Sequence, residues 1–133
     1  MVKTYKVFIS HSWSHVSDLI SLRNLLQSRG YFNVEFTEVP PTDSINSVNS
    51  YYVRQRLSEK IASSDVVLGI AGLYASYSEW MKWELDKAIE KKVPIIGVIP
   101  RGHERVSSVV SSRANEVVRW NTESIVAAIR RNA

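Results

Sequence analysis

Two runs of almost unbroken apolar residues limit the fold of this chain more than any other feature. They are residues 65–71, DVVLGIA, and residues 93–99, VPIIGVI. An apolar run of this length without alternating polar residues predicts a β-strand that is covered on both faces, as in a parallel sheet. Parallel strands need a long crossover between them, which is usually a helix. The chain is therefore expected to be an α/β protein.

The crossover segment, residues 76–90, predicts an amphipathic helix with two unusual side chains. Its apolar residues recur at helical spacing and are expected to face the core: Met81, Leu85, Ala88 and Ile89. Trp80 lies roughly 120° from the centre of that stripe and Glu84 roughly 80° from it. Since Trp80 and Glu84 are four residues apart, ring and carboxylate are neighbours on one flank of the helix.

Shorter segments complete an alternating pattern of strands and helices. Residues 4–9, 33–37 and 116–120 predict further strands, and residues 101–115 predict a loop with one helical turn. Three groups of apolar residues at helical spacing predict the remaining helices: Leu19, Leu22, Leu25, Leu26; Val53, Leu57, Ile61; Ile125, Val126, Ile129. This pattern predicts one flavodoxin-like three-layer domain over residues 1–133, with a five-stranded parallel sheet in the order 2-1-3-4-5 and helices on both faces.

In that strand order, ligands bind where the order reverses, outside the carboxyl ends of strands one and three. Three loops converge there: residues 10–14, 38–49 and 72–78. Topology is therefore expected to bring the polar segment SHSWS at residues 10–14 close to Trp80 and Glu84.

Composition excludes several classes of function. The chain has no cysteine, so disulfides and thiolate chemistry are excluded. His11 and His15 lack the further ligands that zinc needs, and no metal site is expected. No glycine-rich phosphate loop follows the first strand, so a classical dinucleotide-binding fold and a P-loop protein are not supported. The third strand does not end in the Asp that a response-regulator receiver requires, so that class is excluded as well.

Charge and hydropathy bear on partners and localisation. Residues 1–90 hold 9 Lys/Arg and 10 Asp/Glu, whereas residues 91–133 hold 8 and 3. The basic C-terminal third lacks aromatic residues interleaved with its cations, so nucleic acid is an unlikely partner. The N-terminal apolar run is too short for a signal peptide, and no run could span a bilayer. We expect a cytoplasmic protein that does not bind membranes.

A lone carboxylate beside an aromatic ring suits one kind of glycoside cleavage. Most glycosidases need a second carboxyl group to protonate the leaving group. A leaving group that is already cationic, such as the nicotinamide of NAD⁺, departs neutral without an acid, and one carboxylate can stabilise the oxocarbenium-like transition state. Trp80 could cover the nicotinamide by cation–π contact. The alternative is that Glu84 faces water or pairs with Lys87 or Lys91.

The chain resembles the TIR (Toll/interleukin-1 receptor) domain family, and short stand-alone bacterial TIR-like proteins of the Thoeris antiphage type in particular. Residues 5–12, YKVFISHS, resemble the opening strand of that family. Residues 78–85, SEWMKWEL, resemble its S-x-W-x-x-x-E-L segment, and residues 65–68 and 93–96 fit its third and fourth strands. Residues 38–49 would then be the BB loop of the family.

The resemblance implies cleavage of NAD⁺ as substrate, without a permanently bound cofactor, to nicotinamide and ADP-ribose or a cyclic ADP-ribose-type signal. It implies that Glu84 is the catalytic glutamate and that Trp80 shapes the nicotinamide side. It assigns the rest of the substrate-binding set by position: Phe8, Ser10, His11, Ser12, Trp13 and Ser78.

The resemblance also implies partners. The 38–49 loop would mediate self-association, with Pro40, Pro41, Thr42 and Asp43 as the assembly residues. With no sensor domain in the chain, a separate effector protein would respond to a nucleotide product. Two alternatives stay open: a non-enzymatic TIR scaffold that acts by self-association or partner binding, and an enzyme like the nucleoside deoxyribosyltransferases, which acts on another N-glycoside.

Overall fold

The computed structural model of the chain describes residues 3–11, 16–37, 50–72, 75, 78–102 and 106–133. Ser12 and Trp13 lie outside the described residues, and so do the assembly residues Pro40, Pro41, Thr42 and Asp43. In the described part of the chain, no helix is long and apolar enough to cross a membrane.

Strands and helices alternate along the whole described chain. The elements are β1 (Thr4–Ser10), α1 (Val16–Gln27), β2 (Asn33–Phe36), α2 (Ser50–Ala62), β3 (Val66–Ile70), α3 (Glu79–Glu90), β4 (Ile95–Ile99), α4 (Ser108–Ser111), β5 (Glu116–Arg119) and α5 (Thr122–Asn132). The strands form one sheet in the order β2-β1-β3-β4-β5, and every neighbouring pair is parallel. The predicted α/β fold and strand order are confirmed.

Each face of the sheet carries its own apolar core. On one side of the sheet, which we call the α1 face, the core contains Leu22 of α1 and Ile125 of α5. The other, the α3 face, contains Leu57 of α2, Leu85 of α3 and Val110 of α4. Side chains alternate along a strand, so β1 sends Val7 and Ile9 to the α1 face and Phe8 and Ser10 to the α3 face. Both central strands are covered on two sides, as their unbroken apolar sequences predict.

Helix α3 is fixed at both ends by hydrogen bonds. At its start, the Ser78 hydroxyl accepts from the Met81 backbone N–H at 3.2 Å, which satisfies one of the amides that have no partner within the helix. At its end, Val93 N–H donates to the Ala88 carbonyl at 2.9 Å and Lys92 N–H donates to Ile89 at 3.1 Å. These two bonds form a Schellman motif, with Lys92 at φ 60° in the position that glycine usually takes.

The buried stripe of α3 differs from the predicted one at its last position. Met81, Leu85 and Ala88 are fully buried, but Ile89 is 51% exposed. At about 100° per residue, the observed stripe is rotated toward the flank of Glu84 and away from Ile89. The core of α3 is therefore built from three apolar side chains and one carboxylate.

Candidate functional site

The second turn of α3 brings Glu84 against the carboxyl end of β1. The hydroxyl of Ser10 donates a hydrogen bond to Glu84 Oε1 at 2.8 Å. Ser10 has no exposed surface and Glu84 is only 5% exposed. The alternative that Glu84 faces water is therefore wrong. Lys87, one of the two lysines considered as its partner, pairs with Glu90 at 2.6 Å.

Two glycines allow α3 and α4 to approach the sheet this closely. Gly69 of β3 lies beside Ser10 in the sheet register, and Gly97 of β4 lies beside Gly69. A Cβ on Gly69 would lie 3.4 Å from Leu85 Cδ2 and 3.3 Å from a methyl group of Val110. Leu85 packs directly on Gly69, which has no side chain. The helix therefore lies close enough to the sheet for the preceding residue, Glu84, to contact Ser10.

The burial of Glu84 is chemically informative. An ionised carboxylate is strongly disfavoured away from water unless hydrogen bonds replace its hydration, and glutamate is rarely buried without a partner. Buried titratable groups at the ligand-binding edge of a sheet are candidates for functional residues. The Ser10–Glu84 pair lies at the carboxyl ends of β1 and β3, where the strand order reverses.

His11 continues β1 beyond the sheet and is 5% exposed. Burial lowers the pKa of its imidazole, while a hydrogen bond with the Ile9 backbone and the charge of Asp18 act in the opposite direction. The imidazole is therefore held toward its neutral form. Phe8, predicted to line the substrate pocket, is fully buried in the core of the α3 face.

Trp80 lies on the outer side of α3, partly buried, next to a second indole. Trp83 meets it edge-on, with ring centroids 6.0 Å apart. The guanidinium of Arg54, from α2, lies 5.6 Å from the centroid of the Trp80 ring. The sequence predicted a cationic nicotinamide at this ring, whereas in the structure Arg54 supplies a cation there.

The two indoles line a surface groove with a volume of about 420 Å³. Its lining residues are Arg54, Glu79, Trp80, Lys82, Trp83 and Asp86. Sequence reasoning missed Arg54, because only the packing of α2 on α3 brings it to Trp80. Trp83 could have been found, since it is one turn from Trp80 on the same helix.

The sequence-predicted site residues thus lie in different places. Phe8 belongs to the core, and Trp80 lines the groove on α3. Ser10 and Glu84 come into contact, and His11 follows Ser10 directly. Ser78 contacts the backbone of its own helix as the N-cap. Ser12 and Trp13 fall outside the described residues. Among the residues that are described, no three His, Asp or Glu side chains cluster in a way that could hold a metal ion.

Comparison with known families gives a match over most of the chain. The family described as the TIR-like domain of the Thoeris protein ThsB matches residues 8–105. The matched region contains Ser10, residues 38–49 and all of α3. A comparison with curated proteins gives no match.

Solved structures share the fold at low sequence identity. A 2-deoxyribosyltransferase from Bacillus psychrosaccharolyticus superposes with a TM-score of 0.63 at 14% identity, covering 93% of this chain and 95% of that one. A pilus assembly-related protein from Burkholderia pseudomallei gives 0.59 at 13% identity, with coverages of 96% and 88%. The CMP N-glycosidase BcmB from Clostridium botulinum gives 0.57 at 11% identity, with coverages of 96% and 99%.

Proposed function

The chain belongs to the TIR-like domain family of the Thoeris protein ThsB, and from this membership we propose that it cleaves the bond between nicotinamide and ribose in NAD⁺. Membership supports a role in antiphage defence. The single observation that carries the proposed chemistry is the buried carboxylate of Glu84, which accepts a hydrogen bond from Ser10 at the ligand-binding edge of the sheet.

Glu84 would act on the ribose and not on the leaving group. As the C1′–N bond breaks, the bonding electrons move to the pyridinium nitrogen, nicotinamide leaves neutral, and positive charge develops on the ribose. A preorganised carboxylate stabilises that charge, and it does so more strongly in a water-poor site than in solvent. Water then adds to C1′ and releases a proton, which gives ADP-ribose. If a nucleophile within the ADP-ribose adds instead, the product is cyclic.

Trp80 and Arg54 would lie beside this reaction. A pyridinium ring that stacks on Trp80 has to compete with the guanidinium 5.6 Å from its centroid. We propose that Trp80 shapes the nicotinamide side of the site and that substrate binding displaces Arg54 from the indole.

Partners belong to the same proposal. Self-association through the 38–49 loop would raise activity, and a separate effector protein would respond to a cyclic product. The protein is proposed to act in the cytoplasm, where NAD⁺ is abundant.

The test is nicotinamide release by the purified chain, measured at increasing protein concentration and with a crowding agent to promote assembly. The wild type is expected to release nicotinamide, and Glu84→Gln to lose at least about 100-fold because it removes the stabilising charge. Glu90→Gln is the matched control: Glu90 lies on the same helix but is exposed and paired with Lys87. It should retain wild-type activity.

Two other results would redirect the proposal. Proteins of this fold include a 2-deoxyribosyltransferase and a CMP N-glycosidase, so a deoxyribonucleoside and CMP belong in the substrate panel. Turnover of either in preference to NAD⁺ would overturn NAD⁺ as substrate. Equal and negligible turnover by wild type and Glu84→Gln under all assembly conditions would overturn the proposed chemistry and leave the non-enzymatic scaffold as the alternative.

A further inference from the structure

We infer that Ser10 is a positioning residue for Glu84: its hydroxyl orients the carboxylate and favours its ionised form, and it does not bind substrate itself. The inference rests on the proposed function in treating Glu84 as the catalytic group. It gives Ser10 a role different from the substrate-binding one that its place in the sequence predicts.

The two partners belong to elements that are fixed independently. Ser10 ends β1, the strand that pairs with both β2 and β3, and its register partner on β3 is Gly69. Glu84 is fixed by α3, whose residues Met81, Leu85 and Ala88 are fully buried. The 2.8 Å bond therefore joins two rigid elements that are 74 residues apart in sequence.

The carboxylate needs such a bond because its last torsion is soft. Rotation about the terminal bond of a glutamate side chain has broad minima, so packing of the helix alone leaves the oxygen positions loosely defined. A hydroxyl that donates to Oε1 removes this freedom. It also favours the charged form of the carboxylate, and a buried location strengthens both effects.

Ser10 is poorly placed to contact a substrate. It has no exposed surface, and its side chain lies on the α3 face, where Phe8 and Leu85 belong to the core. A substrate-binding serine would offer its hydroxyl to the ligand, whereas this hydroxyl already donates to Glu84.

A positioning role and a binding role predict different kinetics. If Ser10 acts through Glu84, Ser10→Ala lowers kcat by roughly 10- to 100-fold, the amount expected for losing a hydrogen bond to a charged group, while KM stays within about twofold. If Ser10 binds NAD⁺ equally in ground and transition states, KM rises and kcat is unchanged. That second result would overturn the inference.

Two further variants complete the test: a control at another buried serine, and a replacement of Ser10 that donates a weaker hydrogen bond. Ser64→Ala removes another buried serine hydroxyl, one that lies 2.6 Å from Thr37 Oγ1 and donates to the Lys60 carbonyl at 2.7 Å. It should leave kcat unchanged. Ser10→Cys keeps the size of the side chain but donates more weakly, so its kcat should fall between those of wild type and Ser10→Ala. It also replaces Ser10→Ala if the alanine variant does not fold.

A titration separates this inference from the proposed function. The side-chain carboxyl carbon of Glu84, assigned by its absence in Glu84→Gln, is followed by NMR against pH in wild type and Ser10→Ala. Loss of the hydroxyl donor should raise the titration midpoint by about one pH unit or more. An unchanged midpoint would overturn the inference. An inactive wild type would overturn only the proposed function, because the titration needs no turnover.

Discussion

Glu84 is a costly residue for a domain of this size to keep buried. The effective penalty for desolvating an ion in a protein is several kcal/mol, while one hydrogen bond to a charged group returns about 1.5–3 kcal/mol. A small domain has only about 5–15 kcal/mol of total stability. The Ser10 hydrogen bond offsets part of this penalty. Under the proposed function, the buried carboxylate is retained for its chemistry at the ligand-binding edge of the sheet.

His11 makes stability depend on pH near neutrality. Its pKa is lowered from the ordinary value of 6.5 in the folded chain, chiefly by burial. As pH falls below about 6.5, the unfolded chain binds a proton that the folded chain resists. The free energy of unfolding should then decrease with decreasing pH, by at most about 1.4 kcal/mol per pH unit, until pH reaches the folded pKa. Urea unfolding from pH 8 to pH 5 measures this slope.

The His11→Asn variant tests whether this pH dependence is due to His11, because asparagine cannot bind a proton in this pH range. The slope between pH 6.5 and pH 5 should flatten in the variant, and equal slopes in both proteins would show that His11 is not responsible. Exposed carboxyl groups act in a separate, more acidic range. Ion pairs lower the pKa values of Glu116 and Glu123 from 4.5, so their contribution is lost below about pH 4.5 in both proteins.

At the scale of elements, the close packing of α3 and α4 on the sheet depends on two glycines, Gly69 and Gly97. A Cβ on Gly97 would lie 3.1 Å from Val110 Cγ1 and 3.2 Å from Val117 Cγ2, closer than the corresponding contacts of Gly69. Gly97→Ala should therefore destabilise the fold more than Gly69→Ala, within the 1–3 kcal/mol that is typical of overpacking. Gly69→Ala presses on Leu85 as well as on Val110, so under the proposed function it should reduce nicotinamide release more.

Denaturant unfolding and nicotinamide release, measured on both variants, give the two rankings. The expected result is that the rankings are opposite, because a Cβ on Gly69 meets Leu85 of the helix that carries Glu84 as well as Val110, whereas a Cβ on Gly97 meets Val110 and Val117 but no residue of α3. The same order in both measurements would show that the loss of activity follows global stability alone.

The strands and helices could be predicted from sequence more readily than which face of each helix packs on the sheet. The two continuous apolar runs correctly predicted β3 and β4, and the strand order followed from the alternation. The exposure of Ile89 was not predicted, because an apolar stripe on a helix is about 100° wide and its edges are poorly defined by the sequence of the helix alone. Gly69, whose missing side chain leaves room for Leu85, belongs to a different element of the chain.

For the candidate site, the sequence predicted which segments of the chain come together but not the contacts between their side chains. Topology brings the end of β1 and the start of α3 together, and Ser10 and Glu84 do lie in contact. Their hydrogen bond was not predictable, because it depends on which face of the sheet Ser10 occupies and on how deeply α3 packs. Arg54 over Trp80 depends in the same way on the packing of α2 against α3.

At the scale of the whole molecule, the family match at residues 8–105 does not contain everything that the core requires. Helix α5 supplies Ile125, Val126, Ala128 and Ile129 to the α1 face, all with at most 1% exposure. Truncation after residue 120 should therefore prevent folding, since each large apolar side chain lost from a core costs about 2–4 kcal/mol.

Circular dichroism and size-exclusion chromatography of the truncated chain measure this outcome. Deletion of Ala133 alone, at the end of α5, serves as the control and should leave the spectrum unchanged. A folded, monodisperse 1–120 fragment would contradict the dependence on α5.

The wide sequence separation of Ser10 and Glu84 has a consequence for the cell during protein synthesis. The strand that supplies the hydroxyl leaves the ribosome long before the helix that supplies the carboxylate, and the two meet only when β3 has paired beside β1. A nascent chain that ends before α3 therefore contains the hydroxyl but not the carboxylate. Under the proposed function, the chain could not cleave NAD⁺ until both elements have been synthesised and packed, so the topology itself would act as a safeguard during translation.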